Sequence, residues 1–199
     1  MTGMVDMHAH CFPRISRAEA LAVDAERAPW LDVEEDGRDG PGGEHGHIML
    51  GERRFRPVQA QLWDPARRVE MLDRQGVALQ VVCATPVMFG YAWPAERAAA
   101  WARRMNEHVL AYCAHAPTRL KALAQVPLQS LDMACAEADH AMAAGCIGVQ
   151  IGNHVGERDL DDEALVQFLA DRSPSPTWTC WCSAASRSAS PSPWPDRSS

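Results

Sequence analysis

A chain of 199 residues, 47% of them hydrophobic, is long enough to bury one core and fits a single domain or a fragment of a larger one. Its formal net charge of −7 argues against nucleic-acid or anionic-membrane partners, which demand a basic surface. With neither a charged-then-apolar leader nor an apolar run of spanning length, it reads as a soluble cytoplasmic protein whose seven cysteines, odd in number and without Cys-x-x-Cys, stay reduced.

The first predicted element is a short apolar strand over 4–10, Met4-Val5-Asp6-Met7-His8-Ala9-His10. Residues two apart on a strand share a face, so His8 and His10 converge on one point and form half of a transition-metal site. Cys11 beside them reads as a packing thiol, and Asp6 as either an orienting carboxylate or a strand-edge one. A second pair, His45-Gly46-His47, follows a Gly-rich acidic run and is expected in a solvated loop. The whole stretch of about 11–61 reads as an irregular insertion.

From there the pattern is regular. Asp64-Pro65 supplies an N-cap and a first-turn proline for a helix that Gly76 stops. Residues 78–84 form a nearly continuous apolar run, as in a parallel strand covered on both faces. Pro94 opens a helix through Trp101, Met105, Val109 and Tyr112. Residues 120–128 predict the third strand, 130–145 a helix with a serine cap and a glycine stop, and 148–152 the fourth strand. Asp159 is expected to cap a last helix through Leu165, Phe168 and Leu169. Cys83, Cys113, Cys135 and Cys146 fall inside these segments and read as small core residues. Four consecutive βα units predict an α/β fold, a (β/α)8 TIM barrel truncated to about four units over 1–171.

The stretch 172–199 breaks the pattern. It holds nine serines, five prolines and three tryptophans but no Leu, Ile, Val, Met or Phe, which predicts a disordered tail unable to add a strand. A single lysine, Lys121, against eighteen arginines points to a GC-rich coding sequence, and the tail reads as a frameshift product or a gene-model error.

Several motifs in unbroken order carry a resemblance. They are Asp6-Met7-His8-Ala9-His10, Phe55-Arg56-Pro57-Val58, Leu62-Trp63-Asp64-Pro65, Thr85-Pro86-Val87-Met88-Phe89, Gln125-Val126-Pro127-Leu128-Gln129 and Gly148-Val149-Gln150-Ile151-Gly152-Asn153-His154. Over about 4–171 the chain resembles the aminocarboxymuconate-semialdehyde decarboxylase family of the metal-dependent amidohydrolase superfamily. The resemblance implies a metal-dependent amidohydrolase-type barrel. Its implied activity is zinc-dependent, non-oxidative decarboxylation of 2-amino-3-carboxymuconate 6-semialdehyde in tryptophan (kynurenine) catabolism. It assigns His8 and His10 to Zn²⁺ and Arg56 to a substrate carboxylate, a role that suits a planar, always-charged fork. Met88, Phe89 and His154 are expected to line the substrate pocket. The other zinc ligands and the proton-transferring histidine belong, by the same resemblance, to the second half of the barrel, so this chain by itself is expected to be inactive.

Two other readings stand beside this one. A related metal-dependent amidohydrolase that hydrolyses a C–O or C–N bond would share the histidine pair, although the Phe-Arg-Pro and Pro-Val-Met-Phe matches favour the decarboxylase. A non-catalytic half-barrel would expose unpaired strand edges and aggregate or pair with a second copy as a homodimer. The small dicarboxylate semialdehyde is the expected partner, with no nucleic acid and no membrane.

Overall fold

The computed structural model describes residues 3–33, 45–172 and 180–183. In chain order, β1 (Met4–Cys11) leads through α1 (Arg17–Val23) into β2 (Pro29–Val33), β3 (His45–Leu50) and β4 (Arg53–Gln59). The βα units follow as α2 (Pro65–Gln75), β5 (Val77–Ala84), α3 (Ala95–Ala114), the short β6 (Leu120–Ala122) and β7 (Ala124–Gln125), α4 (Leu131–Ala144) and β8 (Val149–Gly152). A small pair, β9 (His154–Val155) with β10 (Arg158–Asp159), precedes α5 (Glu163–Arg172) and β11 (Cys180–Ser183).

The parallel strands run in the orders β1-β5-β6 and β7-β8-β11. Leu123, between β6 and β7, donates its amide to the Val82 carbonyl at 2.8 Å, while Ala124 donates to Gly148 at 2.9 Å. The segment 120–125 thus passes from pairing with β5 to pairing with β8 and joins the two sheets. The single strand expected over 120–128 is corrected accordingly: it is divided at Leu123, and 126–128 lie outside any strand.

Local chemistry explains the helix ends. The Asp64 carboxylate accepts the amides of Ala66 at 2.9 Å and Arg67 at 3.3 Å, and Gly76, at φ +70°, closes α2 in the left-handed conformation that glycine adopts without strain. Ser130 caps α4 through the Met133 amide at 3.4 Å. The expected cap of α5 is corrected from Asp159 to Asp162, whose carboxylate takes the Leu165 amide at 3.2 Å; Asp159 lies in β10 instead, opposite His154 of β9.

Strand alternation divides the core. Val82, Ala84, Ala122, Ala124, Val149 and Ile151 face the helices, where Leu72, Trp101, Met105, Val109, Leu165 and Phe168 complete one cluster. Val81, Cys83 and Leu123 point the other way and form a smaller cluster with Leu79 and Ile147. Among the described residues no helix is long and apolar enough to cross a membrane.

Two further sequence expectations fail. The stretch 11–61 is not irregular: β2, β3 and β4 form an antiparallel sheet, and His45-Gly46-His47 opens β3 rather than lying in a solvated loop. Burial of Trp30, Leu31, Ile48 and Met49 drives the pairing, and the Trp30 indole N–H ties β2 to the Gly51 carbonyl at 2.8 Å. The Gly-rich run of 36–43 lies outside the described residues. Beyond 171, Cys180–Ser183 pairs in parallel with β8 from Cys180↔Val149 to Ser183↔Gly152, correcting the expectation that the tail adds no strand. Ladder bonds need backbone groups, not aliphatic side chains, and Cys-Trp-Cys offers no obstacle to them. The rest of the disordered-tail expectation falls on residues outside those described.

Candidate metal centre

β1 presents its two histidines through a break in regularity. Asp6 stands opposite Gln80 and Ala9 opposite Val82, so three steps along β1 match two along β5. An extra residue of this kind re-aims the side chains around it. The Asp6 carboxylate turns toward Gln80, whose amide donates to Asp6 Oδ2 at 2.7 Å, while the other oxygen accepts the His8 backbone N–H at 3.1 Å. Of the two readings open for Asp6, the geometry supports the orienting carboxylate.

His8, within the bulge, and His10, just after it, meet edge to face, with ring centroids 4.8 Å apart and planes at 89°. Their Nε2 atoms are 3.2 Å apart. Two imidazole nitrogens on one tetrahedral zinc at about 2.0–2.1 Å would lie about 3.3 Å apart, so the pair already spans one edge of a coordination polyhedron. Burial, and then the neighbouring His8, lowers the His10 pKa to about 4 and keeps its imidazole neutral, the form that binds a metal. At the other side of the ring, His10 Nδ1 lies 3.3 Å from the Cys83 sulfur, and that thiol reaches the Ala9 carbonyl at 3.2 Å. With the thiol hydrogen on Ala9, sulfur accepts from Nδ1–H and leaves the Nε2 lone pair facing His8.

The donor set therefore fits a divalent transition metal at two positions. Among the described residues no group of three or more His, Cys, Asp and Glu side chains gathers to hold a metal. His8 and His10 could supply two ligands, short of the three protein ligands that catalytic zinc sites use.

A cavity of about 520 Å³ lies against β1, and its lining includes Asp6, His10, Arg68, Gln80, Pro57 and Gln59. Arg68 crosses its wall nearly buried, with Nε donating to the Gln61 carbonyl at 2.8 Å and to the Tyr112 hydroxyl at 3.1 Å. Arg68, Gln80 and the His10 contact of Cys83 stand outside the motifs that mark the site in the sequence. The available signal was spacing, because Arg68 precedes buried Leu72 by four residues and so shares its inward stripe on α2.

The expected substrate residues disperse. Arg56 is exposed on β4, with its guanidinium 5.7 Å from the Phe55 ring centre, and its charge is felt at His10. His154 lies past the C-terminal end of β8, half-buried, with its Nδ1 2.8 Å from Asn153 Oδ1. Phe89 is buried and packs on Tyr91, whose hydroxyl accepts the Gly152 amide at 3.2 Å beside the end of β8. Met88 as a pocket-lining residue is corrected: it is 0% exposed inside the main core, and its carbonyl is taken by the Trp101 indole and the Gln125 amide. A residue on the helix-facing side of the sheet is spent on packing. Cys11, 1% exposed, is the expected packing thiol.

Over most of its length the chain is similar to known proteins. The amidohydrolase family model aligns with residues 5–185. A 2-amino-3-carboxymuconate-6-semialdehyde decarboxylase of Dictyostelium discoideum is 30% identical over 125 residues, covering 62% of this chain and 35% of the relative. Among solved structures, Metarhizium anisopliae IDCase in its apo form superposes with a TM-score of 0.66 at 18% identity, over 91% of this chain and 50% of that one. A 5-carboxyvanillate decarboxylase of Novosphingobium aromaticivorans, complexed with manganese, gives 0.58 at 18% identity over 84% of this chain and 47% of that one. The chain thus spans between about a third and a half of the proteins it matches. These superpositions show the fold, the barrel-type α/β architecture built from parallel βα units. With 5–185 matched and the histidine pair at the end of β1, the chain belongs to the amidohydrolase family.

Proposed function

We propose that this chain supplies the first part of a divalent-metal-dependent decarboxylase acting on 2-amino-3-carboxymuconate 6-semialdehyde in tryptophan (kynurenine) catabolism, with zinc as the metal. The observation that carries the reading is the 3.2 Å separation of the His8 and His10 Nε2 atoms on β1, spaced for one metal ion. The Dictyostelium relative supports the substrate, and the manganese complex of the carboxyvanillate enzyme supports a divalent metal.

A metal bound between the two imidazoles would act as a Lewis acid on the substrate. His8 and His10 would hold it as neutral ligands. Arg56, exposed and electrostatically coupled to His10, would take a substrate carboxylate in its planar fork and orient the dicarboxylate. Phe89 and His154, near the end of β8, would bound the substrate, a small dicarboxylate semialdehyde. Two ligands do not complete a catalytic site, so turnover would require ligands beyond this pair, and on this reading the chain on its own is expected to be inactive. The reading places the protein in the cytoplasm.

The test is a fusion of residues 1–171 to the remaining barrel segment of the Dictyostelium relative. Metal-loaded fusion should consume the semialdehyde and release carbon dioxide, whereas the chain alone should not. A folded, metal-loaded fusion that releases no carbon dioxide would refute the decarboxylase reading.

A further inference from the structure

We infer that Arg68 is the positioning residue of the histidine pair, a single buried guanidinium that fixes the backbone of both prospective metal ligands. The inference rests on the metal-centre reading and adds to it the residue that presents the ligands.

Arg68 is 6% exposed, and its donors diverge. Nη2 donates directly to the His10 carbonyl. Nη1 reaches Gln80 Oε1 at 3.4 Å; the Gln80 amide donates to Asp6 at 2.7 Å, and Asp6 accepts the His8 N–H at 3.1 Å. One side chain of α2 thus holds the carbonyl after one imidazole and, through two relays, the amide before the other. Nε is anchored by Gln61 and Tyr112, and the Tyr112 hydroxyl donates in turn to the Gln61 carbonyl at 2.9 Å, so the guanidinium plane is fixed from behind.

The support is needed where it is found. Among the described residues β1 pairs with β5 alone, and the pairing slips between Asp6 and Ala9, beside the residues that must hold still. A strand secured on one side opens at low free-energy cost, and chelation by two side chains weakens when their spacing fluctuates. Packing does not explain the choice of residue. A buried guanidinium loses its hydration, and an unbranched apolar side chain would fill the same space beside Leu72 without that loss. Only a planar group with five donors can reach the His10 carbonyl, Gln61, Tyr112 and Gln80 together, which a lysine cannot do.

Copper(II) alone is the probe, since it binds imidazole most tightly of the divalent first-row ions and its electron paramagnetic resonance spectrum reports bound nitrogens. The 199-residue chain should show a two-nitrogen signal that His10→Ala reduces to one. Arg68→Met and Gln80→Leu should weaken copper binding about 10–100-fold, the range for residues supporting metal ligands, with the helical signal retained. Arg68→Lys should recover a fraction of that loss. Copper affinity and two-nitrogen spectra unchanged in Gln80→Leu and in whichever Arg68 variants fold would overturn the positioning role while leaving the metal reading intact. No two-nitrogen signal in the unsubstituted chain would overturn the metal reading, and this inference with it.

Discussion

The Cys83 sulfur lies 3.3 Å from His10 Nδ1 and 3.2 Å from the Ala9 carbonyl, on the residue that stands opposite His10 in the β1–β5 ladder. Burial raises the Cys83 pKa well above that of an ordinary thiol, so it stays protonated and can donate to Ala9 while accepting from His10. Replacing it by valine removes the sulfur acceptor and leaves the His10 ring with the Ala84 backbone hydrogen bond alone. Cys83→Val should weaken zinc binding about tenfold, and Cys83→Ser, which keeps an acceptor, should weaken it less. Calorimetric titration of both variants checks the order; equal affinities across all three proteins would show that sulfur does not set the tautomer.

Arg56 makes a different test, because its side chain is exposed and lies over Phe55. Arg56→Ala should change stability by no more than about 0.5 kcal/mol, as for a surface substitution. In the metal-loaded fusion it should lower kcat/KM by an order of magnitude or more at unchanged metal content, with Arg56→Lys partly restoring it, because the bidentate fork is lost. Kinetics beside metal analysis separates the two effects, and an undiminished kcat/KM would return Arg56 to the solvated surface.

The acid limb of stability should carry a contribution from Glu19. Hydrogen bonds from the Ser16 backbone amide, at 2.9 Å, and then from its hydroxyl hold the Glu19 carboxyl below its ordinary value, and Arg104 adds an ion pair. A carboxylate with a lowered folded value stabilises above its unfolded pKa, near 4.5, and loses that contribution as pH falls through the folded value. Glu19→Gln should therefore lower the melting temperature slightly at neutral pH and converge with the unsubstituted chain in acid. Melting curves from pH 7 to 3 would show it; parallel curves over that range would exclude the capping carboxylate as the cause.

The side of β1 that no described strand pairs should make the chain self-associate. Met4 and Val5 are 57% and 52% exposed beside backbone groups that pair on one side with β5. Such an edge recruits further strands, and a lysine on it discourages them. Light scattering should find species larger than a monomer, reduced in Val5→Lys; a monodisperse monomer in both would contradict the expectation.

What the sequence disclosed was local. Asp64, Gly76, Ser130 and Gly145 mark helix ends because capping is settled within four residues, and His8 and His10 share a face because strand period is 2. What it concealed depends on distant partners. Arg68 reads as a surface charge until α2 is laid against β1 and β5, 58 residues separating it from the His10 carbonyl. β2 and β3 stand either side of a run with turn composition, so their pairing has no short-range signal. Cys180–Ser183 has no apolar alternation to betray a strand that forms because β8 offers it a ladder. Met88 has the sequence context of a pocket residue, but only its neighbour Phe89 packs toward the end of β8, through Tyr91, while Met88 itself turns into the core.

Zinc binding by the chain and its two histidine variants is the most direct measurement of all. Equilibrium dialysis should find one weak site, removed by chelator, whose affinity falls sharply in His8→Ala and in His10→Ala alike. Tight, chelator-resistant zinc that persists in both variants would contradict the assignment of the metal to this pair.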